Sequence, residues 1–157
     1  MLNLTFEEIT EELLSIAQKI VNSNIEYNLL ENGREIRSLE ELKDEFLNPL
    51  TRSVFIKRDE TYIGVMDYLD ENPNDHYPWL GLLMIDLEVQ GRGYAKQAYQ
   101  QYEKEMINLG KTAVRLGVLK GNKKAKQFWE SIGFVFYETK PYKEDRQVDC
   151  YEKELKK

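Results

Sequence analysis

Hydrophobic positions recur along this chain with two periods, and the switches between them outline its elements. Ile9, Leu13, Ile16 and Ile20 stand at helical spacing, and Thr5 with Glu8 three residues on has the form of a capping box. A helix is therefore expected to open the chain. Ser38 with Glu41 repeats the signal ahead of Leu39, Leu42, Phe46 and Leu47, and Asn48-Pro49 closes that second helix. Residues 53–57 and 61–69 read as strands, joined across Arg58, Asp59 and Glu60 as a hairpin. Residues 71–78, with two prolines and three Asn or Asp residues, read as a loop, and the apolar run 79–85 as a buried strand.

Beyond it, Tyr94, Ala95, Ala98, Tyr99, Tyr102, Met106 and Leu109 mark an amphipathic helix stopped by Gly110. Residues 112–119 are strand-like, 122–132 form a short helix ended by Gly133, and two strands follow at 134–138 and 147–153. The order α, α, β, β, β, α, β, α, β, β predicts a mixed sheet with helices on its faces, an α/β or α+β arrangement. With 157 residues, no repeat and no linker, one domain over 1–157 is expected.

Composition narrows the class. Ten Tyr, six Phe and two Trp require a core, which excludes a disordered or low-complexity chain. The longest apolar run, seven residues, is far short of the ~20 a membrane helix needs. No signal peptide is readable at the acidic N-terminus, and the single Cys150 has no disulfide partner, so a cytoplasmic location is expected. The net charge of −6 disfavours nucleic acid as a partner. Residues 59–91 hold eight acids and no Lys or Arg, whereas 111–126 hold six cations and no acid. Two solvated faces would explain this, as would one anionic and one cationic ligand.

The stretch Gln90, Gly91, Arg92, Gly93, Tyr94, Ala95, Lys96 lies between a buried strand and a long helix. Small residues there let a ligand approach the backbone, and the first amides of a helix have no partners within it, so they suit an anion. A tight turn needing glycine would leave the same trace. A dinucleotide fingerprint fails, because position 96 is Lys96 and no acid follows between 111 and 126. A P-loop fails on the spacing from Gly117 to Lys123. No His, Cys and acid set has metal-ligand spacing, so no metal is expected.

The pattern that fits is Gln/Arg-x-x-Gly-x-Gly/Ala, met by Gln90, Gly93 and Ala95. Downstream, Asn122, Ala125, Phe128, Trp129, Gly133 and Phe134 match Asn-x-x-Ala-x-x-Phe-Tyr…Gly-Phe. Together these blocks resemble the acetyl-CoA signature of the GNAT N-acetyltransferase superfamily. The resemblance covers residues 79–134. It implies a mostly antiparallel central sheet with helices on both faces and a splayed strand at the acetyl-CoA site. It also implies pantetheine on the backbone of Leu83, Met84 and Ile85 and pyrophosphate on the turn of Gln90, Gly91, Arg92, Gly93, Tyr94, Ala95 and Lys96. Asn122 would reach the pantetheine or acetyl end, and the lysines from Lys120 to Lys126 would attract the phosphates of coenzyme A.

Two positions depart from the family pattern. Trp129 stands where a tyrosine often protonates the leaving thiolate, and an indole N–H is no acid near neutral pH. Gly117 stands where some relatives carry a glutamate base. Tyr94, Tyr137 or solvent remains as proton donor. Asp86, just past the strand, is the candidate base, with Glu88 and Asp67 behind it. The expected reaction is direct attack of a primary amine, on a small molecule or protein, on the thioester of acetyl-CoA. The alternatives are transfer of a longer acyl group and a non-catalytic acyl-CoA-binding or sensing module. A monomer or homodimer is expected, with neither nucleic acid nor membrane as partner.

Overall fold

The structure, a computed structural model, describes residues 4–156. Strand β1 (Leu4–Glu8) is followed by α1 (Leu14–Ser23), α2 (Ile25–Asn32) and α3 (Leu39–Phe46). The hairpin β2 (Arg52–Arg58) and β3 (Thr61–Leu69) comes next, then β4 (Trp79–Ile85) and α4 (Tyr94–Asn108). The chain ends with β5 (Ala113–Leu119), α5 (Lys123–Ser131), β6 (Val135–Pro141) and β7 (Gln147–Glu154). The strands form one sheet in the order β1-β2-β3-β4-β5-β7-β6, antiparallel throughout except between β4 and β5.

Two cores sandwich the sheet. On one face Tyr94, Tyr99, Tyr102 and Met106 of α4 and Trp129 of α5 pack on Met66, Tyr68, Leu80, Val114, Leu116 and Tyr151. On the other, Leu14, Ala17, Ile20 and Val21 of α1 and Leu42 and Phe46 of α3 pack on Phe55, Val65 and Met84. Amphipathic stripes on both sides of a sheet that is apolar on both faces produce this three-layer arrangement.

The opening helix expected from Thr5 is a strand. Leu4 to Glu8 pairs with Arg58 to Val54, Leu4 is buried, and Glu7 accepts from Tyr62 Oη at 2.7 Å and Lys57 Nζ at 3.3 Å. Thr5 and Glu8 share a spacing with the capping box but cap nothing; the helical stripe starts later and is Leu14, Ala17, Ile20 and Val21. The first element among the described residues is thus a strand. The second capping box is real: Glu41 N–H donates to Ser38 Oγ at 3.2 Å, and Ser38 N–H reaches Glu41 Oε1 at 3.4 Å. Helix α2 was not expected. It is set off from α1 by Asn24, whose φ of −99° and ψ of 65° break the helical run, and closed by Gly33 at φ 72°.

Both later helices end as their glycines predict. Gly110 N–H donates to Ile107 O and Lys111 N–H to Met106 O, while Gly133 and Phe134 repeat the pair on Glu130 and Trp129. Gly110 and Gly133 have φ of 82° and 106°, where only glycine is unstrained.

Candidate active site

Strands β4 and β5 meet at one residue pair, Trp79 with Arg115, joined by Arg115 N–H to Pro78 O at 3.0 Å. Beyond it no further residue pair joins them among the described residues, leaving a gap along the strands to Ile85 and Leu119. A bulge sits just past the fork: the β3–β4 register slips between Asp67 and Tyr68, opposite Gly81. Such an extra residue re-aims the strand. The fork itself is pinned by Arg115, whose guanidinium lies 3.9 Å from the Tyr77 ring centre and 4.6 Å from that of Tyr137. It pairs with Asp75 at 3.3 Å and Glu152 at 2.9 Å, and Asp75 also accepts from Trp79 Nε1 at 2.8 Å.

Backbone groups along the gap alternate in direction, as in any strand. Asp86 N–H donates to Ile63 O of β3, so the groups of Met84, two residues back, face β3 as well. Leu83 and Ile85 face the gap. The Ile85 carbonyl is taken: Asn24 Nδ2 donates to it at 3.1 Å and Gln90 Nε2 at 2.8 Å. Of the three expected backbone partners, Leu83 therefore offers both its N–H and C=O, Ile85 only its N–H, and Met84 neither.

At the open end the turn leads into α4 with Gly93 as N-cap at φ 84° and Gly91 at φ 80°. The first α4 amide with a partner is Gln97, on Gly93 O at 3.1 Å. Those of Tyr94, Ala95 and Lys96 are left at the positive end of a fifteen-residue helix with no acid in its first turn. A Cβ built on Gly91 or Gly93 would meet nothing within 4 Å, so both glycines serve the backbone angle and leave open space in front of the amides. Arg92 and Lys96 are exposed beside them, and Tyr94 is buried in the core. The Gln90 side chain points the other way, to Asn24 Oδ1 at 2.7 Å and Ile85 O.

On the β5 side Asn122 caps α5, its Oδ1 accepting from Ala125 N–H at 3.1 Å, which leaves its amide nitrogen to donate elsewhere. Lys120, Lys123, Lys124 and Lys126 are exposed, and none makes an ion pair among the described residues. Lys111 and Arg115, from the same basic stretch, are neutralised by Glu71 and by Asp75 and Glu152. The acidic stretch is divided too: Asp70 pairs with Arg52, Glu60 with Lys57 and Glu71 with Lys111.

The candidate acids and bases are scattered. Asp86 Oδ1 caps a short 3₁₀ turn by accepting from Glu88 N–H at 3.0 Å, and Glu88 is exposed on that turn. Asp67 is buried, held by Ser53 Oγ at 3.2 Å and by Thr51 on the β2 side, away from the gap; burial pushes its carboxyl up to about 6. Trp129 is packed edge-on against Tyr99, Phe128 and Phe134 at 5.6, 4.9 and 5.3 Å. Tyr137 lies at the fork, its hydroxyl pushed up to about 12 by burial. His76 is exposed in the loop, and burial raises the Cys150 thiol above its ordinary range. No group of three His, Cys, Asp or Glu among the described residues could hold a metal ion, and no helix there is long and apolar enough to cross a membrane.

Helix α2 supplies contacts that sequence reasoning missed. Its leading residue Asn24 is tied to the end of β4, while Glu31 near its other end, 8% exposed, accepts from Tyr142 Oη at 2.6 Å and Lys143 Nζ at 3.2 Å in the β6–β7 loop. Leu30 shares a recess with Leu119, Lys120, Arg146 and Gln147. The helix thus reaches from one side of the gap to the other. The readable signal was Asn24 and Gly33 bracketing eight residues; the tertiary partners, 61 to 112 residues away, left none.

The architecture is shared with solved structures. An acetyltransferase from Thermus thermophilus superposes with a TM-score of 0.83 at 22% identity, over 98% of each chain. A spermidine N-acetyltransferase from Vibrio cholerae, solved with CoA and spermine, superposes with a TM-score of 0.73 at 19% identity, over 97% of this chain and 95% of that one. No curated protein sequence matches the chain. At these identities the superpositions speak for the fold, but the sequence itself matches the acetyltransferase (GNAT) family over residues 17–134, which takes in the gap, the glycine turn and Asn122. The chain belongs to the acetyltransferase (GNAT) family, whose members move an acetyl group from acetyl-CoA to an amine.

Proposed function

We propose that residues 1–157 act as one cytoplasmic N-acetyltransferase domain, monomer or homodimer, with the gap between β4 and β5 as its acetyl-CoA site. The observation that carries this is the combination at the open end: backbone groups with no strand partner lead to three helix-terminal amides with no partner, beside unpaired cations. Pyrophosphate would bind the amides of 94–96, next to Arg92 and Lys96, and pantetheine would run along Leu83 and the Ile85 N–H toward the fork. The Asn122 amide nitrogen would donate to the arm from the β5 side. Lys120, Lys123, Lys124 and Lys126 would draw in the remaining phosphate.

The primary amine would approach from the α1–α2 face, because the opposite face is filled by the aromatic core of α4 and α5. On the open face Gly117 is exposed and has no side chain. Attack of the amine nitrogen on the thioester carbonyl forms the C–N bond and releases the thiolate; the amine proton leaves to base and the thiolate takes one from solvent. An alkyl ammonium of pKa ~10.4 costs about 4.6 kcal/mol to deprotonate at pH 7. Asp86 was the expected base, but at the phosphate end it would stand far from the thioester, and its carboxylate already caps a turn. We assign it to holding that turn and the proton to water. Asp86→Asn should then keep kcat within threefold, and kcat/KM should climb with pH toward the pKa of the acceptor.

The test of the whole reading is binding. At 100-fold over its dissociation constant acetyl-CoA should stabilise the protein by about 2.7 kcal/mol, while NADH and ATP should not. For a chain of this size that is a rise in Tm of roughly 5–10 °C. Release of free thiol on adding amines separates a transferase from a sensing module, and a panel of acyl-CoA lengths separates acetyl from longer acyl transfer. No thermal shift with acetyl-CoA would end the proposal.

A further inference from the structure

The glycine turn is held from outside its own strand. Asn24 Nδ2 donates to Ile85 O at 3.1 Å and to Ile20 O at 3.1 Å, while Asn24 Oδ1 accepts from Gln90 Nε2 at 2.7 Å. Gln90 Nε2 gives its second hydrogen to the same Ile85 carbonyl at 2.8 Å. All four amide hydrogens of the two side chains are therefore committed, three of them within a closed ring of Asn24, Gln90 and Ile85. Beside the ring, Leu87 N–H donates to Ser23 Oγ at 3.0 Å, and Ser23 Oγ donates to Ile20 O at 2.6 Å. The junction of α1 and α2 and the start of the turn form one hydrogen-bonded unit, although 61 to 66 residues separate them.

We propose that Asn24 is a positioning residue for acetyl-CoA, acting through Gln90 and Ile85, so that the acceptor-side helix junction and the cofactor turn are held in one frame. The inference rests on the gap being the acetyl-CoA site. The Gln90 side chain is aimed away from the amides of 94–96, so its part is to fix the turn from behind. Without Asn24 the Gln90 amide loses its acceptor and Ile85 O one of its donors. The turn then has more conformations to lose when phosphate binds, which weakens affinity without removing a ligand contact. A hydrogen bond of this kind corresponds to roughly 2- to 13-fold in an equilibrium constant.

The experiment is a double-mutant cycle on acetyl-CoA affinity with Asn24→Ala, Gln90→Ala and the pair, circular dichroism verifying the fold and steady-state kinetics run alongside. Each single variant should raise the dissociation constant about fivefold, and the pair no more than twofold beyond the weaker single, since both changes open the same ring. KM for acetyl-CoA should rise in step, with kcat at saturating acetyl-CoA within threefold of wild type. Wild-type affinity in folded Asn24→Ala, or losses that multiply in the pair, would overturn the proposal. If Asn24→Ala does not fold, Gln90→Ala in the half-exposed turn decides alone, and wild-type affinity there has the same meaning. Failure of the wild type to bind acetyl-CoA would instead remove the reading of the gap on which the proposal rests.

Discussion

The two ends of the gap between β4 and β5 are held by different chemistry. At the fork, Arg115 lies between two tyrosine rings and two carboxylates, and Trp79, Asp75 and Pro78 complete a closed set of partners. At the open end, helix amides and lysines stand without partners among the described residues, and what holds the two sides in place is hydrogen bonding through α2, by Asn24 on one side and Glu31 on the other. The fork satisfies its charges internally and so adds stability. The open end leaves positive groups unsatisfied, which favours an anionic ligand over internal order.

The largest expected effect tests the fork. Arg115→Ala removes a half-buried cation that stacks on two rings and leaves Asp75 and Glu152 without their shared cation; the loss in unfolding free energy should be about 3 kcal/mol. Arg115→Lys should recover less than half, because an ammonium cannot stack or fork. Denaturant titration measures both, and a loss below 1 kcal/mol for Arg115→Ala would mean that the fork is held by β-sheet pairing instead.

On the β2 side of β3, away from the fork, Asp67 is an uncompensated charge. It lies opposite Leu82, buried, with no cation paired to it among the described residues. A carboxyl that binds its proton more tightly folded than unfolded favours the fold below its unfolded pKa of 3.8, and that contribution is lost as pH rises through about 6. Above that range the buried charge is a cost on the order of 2–3 kcal/mol. Asp67→Asn, which keeps an acceptor for Ser53, should match the wild type near pH 4 and exceed it in stability at pH 7.5. A difference that does not grow with pH would refute this.

At the open end, Tyr142→Phe tests the second tie of α2. It removes a hydroxyl bonded to a buried carboxylate and should lower stability by about 1.5 kcal/mol, less than the fork variant. The same deletion should leave the glycine turn intact, so acetyl-CoA affinity should change by less than threefold in a titration. A larger change would show that the two ties of α2 act together.

The smallest effect is a contrast placed off the gap. Trp129 belongs to the aromatic core of α5 with Tyr99 and Phe134, and Trp129→Tyr should cost about 1 kcal/mol by loss of volume. Turnover should not rise, since a thiolate with pKa near 8.5 leaves at neutral pH without a dedicated donor. A tenfold gain in turnover number would show that the hydroxyl was the missing acid.

Periodicity located β3 and β4 to the residue, and glycine placed the ends of α4 and α5, because these are local properties: a strand buried on both faces must be apolar, and a left-handed residue past a helix must be glycine. The same local logic misread Thr5 and Glu8, whose capping-box spacing is also compatible with an edge strand once β2 is there to pair with it. It left α2 out, since a helix with Ile25 and Leu29 44% exposed shows little amphipathic contrast. For the candidate site, the glycine turn into α4 and Asn122 at the head of α5 were legible from their spacing. The hydrogen bonds of Gln90, Met84 and Asp86 were not legible, because spacing does not say which way a carbonyl or amide points.

By itself the sequence determined the sandwich of helices on a mixed sheet, the glycine turn into α4 and the family, since each rests on residues close together in the chain. Only the tertiary structure decided that Arg115 belongs to the fork and not to a basic face, that the Ile85 carbonyl is closed to a ligand, and that α2 ties the two sides of the gap. Those outcomes depend on partners 37 to 112 residues apart, and which partner satisfies a buried polar group is set by the packed geometry, where every such group must find one.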